Sequence, residues 1–207
     1  MIAIVDYNAG NLTSVARAVS HLGFSCTVTS DPEKINNAER IIFPGVGAAG
    51  SAMESLSRMN LDQIIIRNFE KGKPILGICL GTQIIMEQSE ENSTTDCIGL
   101  IKGTVRTFSR EMKENGMPLK VPHMGWNRVK IKKAHPVLAH MDPNHEFYFV
   151  HGYYPEPVDE SYVLGVTEYG IPFASIIGYE NLIATQFHPE KSGRPGLAIL
   201  KNFCDWV

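Results

Sequence analysis

Five residues, Pro74-Ile75-Leu76-Gly77-Ile78, form a short apolar run that leads straight into Cys79, Leu80, Gly81, Thr82 and Gln83. Apolar, branched and only five long, the run reads as a strand buried on both faces. Such a strand belongs in a parallel sheet covered by helices. Leu80 to Met86 then begins a helix. Cys79 is thereby placed on a tight turn at the carboxyl edge of the sheet, beside helix-terminal N–H groups that favour a thiolate and an incoming anion. Gly77 and Gly81 permit the sharp backbone and a close approach of substrate.

The first half of the chain repeats this alternation. Ile2–Asp6 reads as a buried strand, Asn8-Ala9-Gly10-Asn11 as a turn, and the spacing of Leu12, Val15, Val19 and Leu22 predicts a helix from Leu12 to Leu22. Phe24–Val28 is a second strand. Ile41-Ile42-Phe43 is a third, stopped by Pro44-Gly45-Val46-Gly47, and a helix covers Ala52 to Phe69. Alternating strands and helices imply an α/β fold with a mostly parallel central sheet flanked by helices. After residue 90 the pattern changes. Glu90 to Asp96 is a polar loop, and then come Leu100–Val105, Glu146–His151, Tyr162–Thr167, Phe173–Gly178 and Leu182–Phe187, short strands with few helices between them. These read as antiparallel additions to the same sheet. Gly193 to Trp206 closes the chain as a helix with Leu197, Leu200, Phe203 and Trp206 on one face. No repeat or linker divides the 207 residues, which predicts a single domain over 1–207.

Composition narrows the function classes. The formal charge is -3, and Lys130, Lys132 and Lys133 after Arg128 make the only compact basic cluster, which argues against a nucleic-acid partner. No apolar run reaches transmembrane length, and Met1-Ile2-Ala3-Ile4-Val5-Asp6 runs into a strand without a basic leader, so neither a membrane partner nor secretion is expected. Cys26, Cys79, Cys97 and Cys204 lack CxxC spacing and fit reduced, cytoplasmic thiols. His123, His135, His140 and His145 show no metal-ligand pattern. No metal and no cofactor are expected.

Gln186-Phe187-His188-Pro189-Glu190-Lys191 is the second chemical signal. It ends the strand Leu182–Phe187, so His188 and Cys79 can meet at one sheet edge, with Glu190 reaching the far imidazole nitrogen to fix the tautomer. Pro189 restricts the backbone between them. A thiol nucleophile, an imidazole base and an orienting carboxylate suit covalent acyl transfer. That chemistry also needs donors for a developing oxyanion. The Leu80 N–H follows the cysteine directly, and Val46 or Gly47 offers a second amide. Considered singly, Cys79 reads equally as a buried structural thiol and the Pro44–Gly47 segment as an ordinary turn.

Gly77-Ile78-Cys79-Leu80-Gly81-Thr82-Gln83 and Gln186-Phe187-His188-Pro189-Glu190 resemble the nucleophile elbow and the histidine–glutamate segment of class I glutamine amidotransferases, whose domain is flavodoxin-like. Asp6-Tyr7-Asn8-Ala9-Gly10-Asn11-Leu12, Pro44–Gly47, Val121-Pro122-His123-Met124-Gly125-Trp126-Asn127 and Tyr148-Phe149-Val150-His151 narrow the resemblance to the glutaminase subunits of imidazole glycerol phosphate synthases. It implies that Cys79 attacks the side-chain amide of glutamine, that His188 moves the proton and that Glu190 orients His188. Val46, Gly47 and Leu80 would supply the oxyanion hole. Gln83, with the backbone of His151, Gly152 and Tyr153, would hold the substrate. The ammonia would pass to a barrel-shaped cyclase subunit in a heterodimer, at a face carrying Asn11, Pro122, Met124, Trp126 and Lys191. The cyclase would then make imidazole glycerol phosphate and aminoimidazole carboxamide ribonucleotide for histidine biosynthesis.

The chain departs from the family pattern at Asn8 and Gly152, where glycine and serine are common, and at Thr82, where methionine is common. Glutaminases serving cyclase-like enzymes of amidinated surface-sugar synthesis are the alternative within the family. A cysteine peptidase, or a fold retained without catalysis, are the alternatives outside it.

Overall fold

A computed structural model describes residues 1–91, 94–114 and 116–206. Its main sheet has eight strands in the order Lys130–Ile131, Val163–Tyr169, Ile171–Tyr179, Leu182–Thr185, Ile75–Cys79, Arg40–Gly45, Ile2–Val5 and Cys26–Thr29. The five strands from Leu182–Thr185 to Cys26–Thr29 are mutually parallel. The other three join antiparallel. The architecture is thus α/β, with antiparallel additions supplied by the second half of the chain.

Strand alternation divides the core between the two faces. Ile2, Ile4, Ile42, Leu76, Ile78 and Ile183 pack with Val15 and Val19 of the helix Leu12–His21, and with Ile199, Leu200 and Phe203 of the helix Gly193–Asp205. Ala3, Val5, Ile41, Phe43, Ile75 and Ala184 pack on the opposite face with Leu56, Ile64 and Ile65. Both faces of the inner parallel strands are therefore apolar, which is why these segments read as continuous hydrophobic runs, whereas the edge strand Cys26–Thr29 is only partly buried.

Several boundaries differ from the sequence reading for identifiable reasons. The single helix expected over Ala52–Phe69 is two helices, Ala49–Arg58 and Leu61–Glu70, parted at Asn60, whose φ of 56° takes the left-handed conformation that asparagine tolerates. A helix at Pro32–Asn37 was not foreseen. Asp31 caps it, accepting from the Glu33 N–H at 2.9 Å, and Pro32 occupies the first turn. The third strand runs through Pro44 to Gly45 instead of stopping at Phe43. The helix after Cys79 ends at Ile84 and gives way to the strand Met86–Ser89. At barely more than one turn, it supplies local N–H groups and little macrodipole.

The strands Ile101–Thr107 and Glu146–His151 are not additions to the main sheet. The first joins Tyr153–Pro157, Met86–Ser89 and Thr95–Asp96 in a separate sheet, and the second pairs antiparallel with His123–Arg128. The expected loop Glu90–Asp96 includes residues 92 and 93, which lie outside the described residues, and its end is the strand Thr95–Asp96.

Candidate active site

Cys79 ends the strand Ile75–Cys79, whose parallel neighbours are Arg40–Gly45 on one side and Leu182–Thr185 on the other. Their carboxyl ends lie at one edge, so the turns after Gly45, Cys79 and Thr185 converge. Cys79 has φ 54° and ψ -106°, a backbone that L-residues rarely adopt. Such strain costs on the order of 1–3 kcal/mol and persists only where the surroundings enforce it. Here they do. A Cβ at Gly81 would stand 1.8 Å from the Phe43 carbonyl oxygen, and one at Gly77 would stand 2.8 Å from the Ala184 Cβ. The elbow is therefore pressed against both neighbouring strands. The Thr82 hydroxyl, fully buried, adds a bond to the Thr185 carbonyl at 2.6 Å, which is how the elbow packs without methionine at this position.

His188 stands two residues beyond the buried Gln186, and its backbone is fixed from three directions. Its N–H donates to the Tyr148 carbonyl at 2.9 Å. Its carbonyl accepts from Ser192 Oγ at 2.6 Å, and that same Oγ accepts the Tyr148 N–H at 3.0 Å. The imidazole Nδ1 lies 2.7 Å from Glu190 Oε1, both side chains being buried. A carboxylate only accepts, so Nδ1 carries the proton and Nε2 is left to act as base. Asn11 Nδ2 donates to the same Glu190 oxygen at 2.6 Å. Burial pulls the His188 pKa down, but the charges of Cys79 and Glu190 and the Glu190 hydrogen bond outweigh it and lift the value to about 9, the direction that favours an imidazolium once the thiol proton has moved to Nε2. Nε2 itself has no partner at hydrogen-bond geometry among the described residues, and the thiol rests 4.0 Å from the Val150 carbonyl.

The thiol opens into a cavity of about 300 Å³ lined by Val46, Gly47, Cys79, Leu80, Gln83, Glu91, Pro122, Val150, His151, Gly152 and Tyr153. Larger hollows, about 710 and 570 Å³, carry none of these groups, so it is the chemistry of the lining that marks the site. Both amide hydrogens of Gln83 are used within the protein, on the Tyr153 carbonyl at 3.0 Å and Gln186 Oε1 at 3.2 Å. What Gln83 can offer a ligand is its carbonyl oxygen. A Cβ at Gly152 would have Val121 Cγ1 as its nearest neighbour at 3.9 Å, so a serine would fit and its hydroxyl contact is simply missing. Asn8, where relatives carry glycine, has φ 67°. Asparagine tolerates that left-handed backbone, so the departure leaves the turn intact.

Sequence reasoning missed several participants. Glu91 puts a carboxylate in the cavity wall, one oxygen accepting the Ala49 N–H at 2.6 Å. Gln186 stood in the motif without a role, and Ser192 stood outside it. Tyr7 is buried with its hydroxyl unpartnered among the described residues, against Gly45, where a Cβ would lie 1.9 Å from the oxygen. His123 and His151 form a buried pair, Nδ1 to Nε2 at 3.0 Å. Of the residues expected at a partner face, Met124 and Trp126 are 63% and 55% exposed, which rules out core packing for Trp126. Lys191 is exposed, Pro122 lines the cavity and Asn11 points inward to Glu190. Among the described residues no group of three or more His, Cys, Asp or Glu side chains is arranged to hold a metal ion, and no helix is long and apolar enough to cross a membrane.

Residues 3–206 match the family model for glutamine amidotransferase class-I. The chain belongs to the class I glutamine amidotransferases. Within them it is 51% identical over 204 residues to the imidazole glycerol phosphate synthase subunit HisH of Nitratidesulfovibrio vulgaris, covering 98% of this chain and 95% of that one. It is 49% identical over 207 residues to the HisH subunit of Maridesulfovibrio salexigens, covering 100% and 97%. A crystal structure of a glutamine amidotransferase superposes with a TM-score of 0.74 at 16% identity, over 99% of this chain and all of that one. At that identity the likeness speaks for the fold alone.

Proposed function

We propose that this chain is the glutaminase subunit of an imidazole glycerol phosphate synthase. It hydrolyses glutamine to glutamate and ammonia, and delivers the ammonia to a barrel-shaped cyclase subunit in a heterodimer. The observation that carries this reading is the strained Cys79 beside a buried His188–Glu190 pair, at the mouth of a cavity closed by Gln83 and His151–Tyr153. Relatives bearing the synthase subunit name at about half identity over the whole chain favour the histidine pathway over sugar amidination.

The chemistry follows from the geometry. His188 Nε2 takes the Cys79 proton, and Glu190 accepts the Nδ1 hydrogen bond of the resulting imidazolium. The thiolate adds to the side-chain carboxamide carbon of glutamine, and the amides of Leu80 and of Val46 or Gly47 receive the oxyanion. The C–N bond then breaks as His188 returns the proton to nitrogen, releasing ammonia and leaving a glutamyl thioester. Water, deprotonated by His188, adds to the thioester. The C–S bond breaks, the sulfur leaves as thiolate and regains its proton, and glutamate departs. Glu91 in the cavity wall suits the α-ammonium of the amino acid, and the backbone of His151, Gly152 and Tyr153 suits its other end. Keeping ammonia from bulk water preserves its lone pair against protonation. The exposed Met124 and Trp126, on the strand directly bonded to Glu146–His151, suit the cyclase contact.

Reconstitution with a cyclase subunit and its nucleotide precursor tests the reading. Glutamate and imidazole glycerol phosphate should form in equal amounts, and Cys79→Ala should abolish both, with added free ammonia restoring the imidazole product alone. Glutamate formation coupled to amination of a sugar acceptor, with no imidazole product, would move the chain to the sugar pathway.

A further inference from the structure

We infer that Gln186 is a further catalytic residue, whose side-chain amide donates a hydrogen bond to the Cys79 sulfur; the inference rests on the reading of Cys79 as the nucleophile. Gln186 is fully buried, and its Nε2 lies 3.8 Å from Sγ. An amide could turn either edge to the sulfur, and only the nitrogen edge would help an anion. The surrounding bonds decide which edge is presented. The Tyr153 carbonyl is purely an acceptor, so the Gln83 atom 3.0 Å from it is nitrogen. That same nitrogen stands 3.2 Å from the Gln186 side chain, which must therefore offer its oxygen there. The Gln186 nitrogen is left facing the thiol. Reversing the amide would set two buried donors against each other, a cost of about 1–3 kcal/mol.

The Tyr153 carbonyl is held in turn. His151 Nδ1 lies 2.7 Å from it and so carries a hydrogen, which makes His151 Nε2 the acceptor for His123 Nδ1 at 3.0 Å. His123 Nε2 then accepts from Asn127 Nδ2 at 3.3 Å. Every member of the network has one allowed polarity, and its last donor is aimed at sulfur.

A neutral thiol is a poor acceptor, whereas a thiolate accepts a charge-assisted bond about twice as strong as a neutral one. The Gln186 bond therefore strengthens when the proton has moved to His188 and weakens once sulfur is acylated. It strengthens again as the C–S bond of the second tetrahedral intermediate breaks and sulfur departs with the electron pair. That is differential stabilisation of the charged stages of the cycle.

Gln186→Met removes the donor. Gln186→Glu keeps the shape and the acceptor for Gln83, while placing an acceptor at the sulfur. Cys79 alkylation by iodoacetamide, followed on its own peptide by mass spectrometry across pH, reads the thiolate directly and needs no assumption about the physiological reaction. Both variants should slow alkylation at pH 7 about 10-fold and displace the alkylation profile towards higher pH. In the reconstituted complex, kcat for glutamine should fall by a similar factor with KM little changed, the Glu variant being the slower. Alkylation profiles in either folded variant that superpose on the wild type would overturn the inference, even if turnover fell.

Should both variants fail to fold, the Gln186 side-chain NH₂ resonances of the wild-type protein decide. They should move with the titration of Cys79 and on its alkylation, and resonances indifferent to both would overturn the proposal. A wild-type protein that alkylates as expected but never hydrolyses glutamine would instead count against the functional reading.

Discussion

The buried pair His123–His151 makes the protein acid-sensitive by a calculable amount. Burial lowers the His151 pKa to about 3 from the ordinary 6.5, a backbone bond to Tyr153 only partly opposing it, and lowers His123 to about 4. A depressed value means that the unfolded chain binds the proton and the folded chain refuses it. The stabilisation is thus complete above pH 6.5 and is lost as pH falls towards the folded value. Between pH 7 and pH 5, His151 spans about 1.5 units below its unfolded pKa, which at 1.36 kcal/mol per unit is about 2 kcal/mol. His123 adds a similar amount over this interval, because its folded value of about 4 also lies below pH 5. His188 acts in the opposite sense: its folded pKa of about 9 gives a stabilisation present below pH 6.5 and lost as pH rises through 9. Over the acid interval it returns less than about 1 kcal/mol.

The perturbation that isolates the pair is His151→Gln, since a glutamine can donate to the Tyr153 carbonyl and accept from His123 without titrating. Urea titrations of both proteins at pH 7 and pH 5 give the two differences. The wild type should lose about 2 kcal/mol more than the variant over that interval. Equal losses would mean that the imidazole pair takes up protons in the fold, and the polarity assigned to the network would be wrong with it.

Three further outcomes follow from the site. Cys79→Gly should melt higher than Cys79→Ala, by roughly 1 kcal/mol in stability, because glycine adopts φ 54° without strain; both should be inactive, and equal melting temperatures would deny that the elbow stores strain. Gly81→Ala should destabilise by about 2 kcal/mol or more, measured by thermal unfolding, since its Cβ meets the Phe43 carbonyl at 1.8 Å and backbone cannot yield as a flexible side chain would. Asn11→Ala should lower kcat about 10-fold with KM nearly unchanged, because Glu190 loses the donor that helps fix it. A rise in KM alone would place Asn11 at a binding surface instead.

The inner parallel strands were legible because both their faces are covered, so Ile2–Val5, Ile41–Phe43 and Ile75–Ile78 carry uninterrupted apolar residues. The smaller sheets were not. His123–Arg128 alternates buried and exposed residues around glycine and asparagine, and its pairing with Glu146–His151 depends on a partner some twenty residues away. Periodicity within one segment cannot state which sheet a strand will join. The break at Asn60 was hidden for another reason: Leu61, Ile64 and Ile65 continue the helical spacing of Leu56, and only the left-handed asparagine reveals that the axis changes.

The site divides along the same line. Cys79, His188 and Glu190 announced themselves because their chemistry is unusual at the end of an apolar strand. Gln186, Ser192 and Asn127 did not, since glutamine, serine and asparagine are common and their meaning lies in whom they meet. Gln186 becomes chemically defined only when Gln83 is seen to spend its hydrogens on Tyr153 and on it. A hydrogen-bond network has no sequence period: its members come from four separate stretches of the chain, and the constraint binding them is that a carbonyl cannot donate. From that constraint the direction of each bond between Asn127 and the sulfur follows. Because the Tyr153 carbonyl accepts from His151 and from Gln83 independently, a change at His151 that keeps the fold should leave the polarity of Gln83, Gln186 and the sulfur intact, and alkylation of Cys79 in His151→Gln should match the wild type.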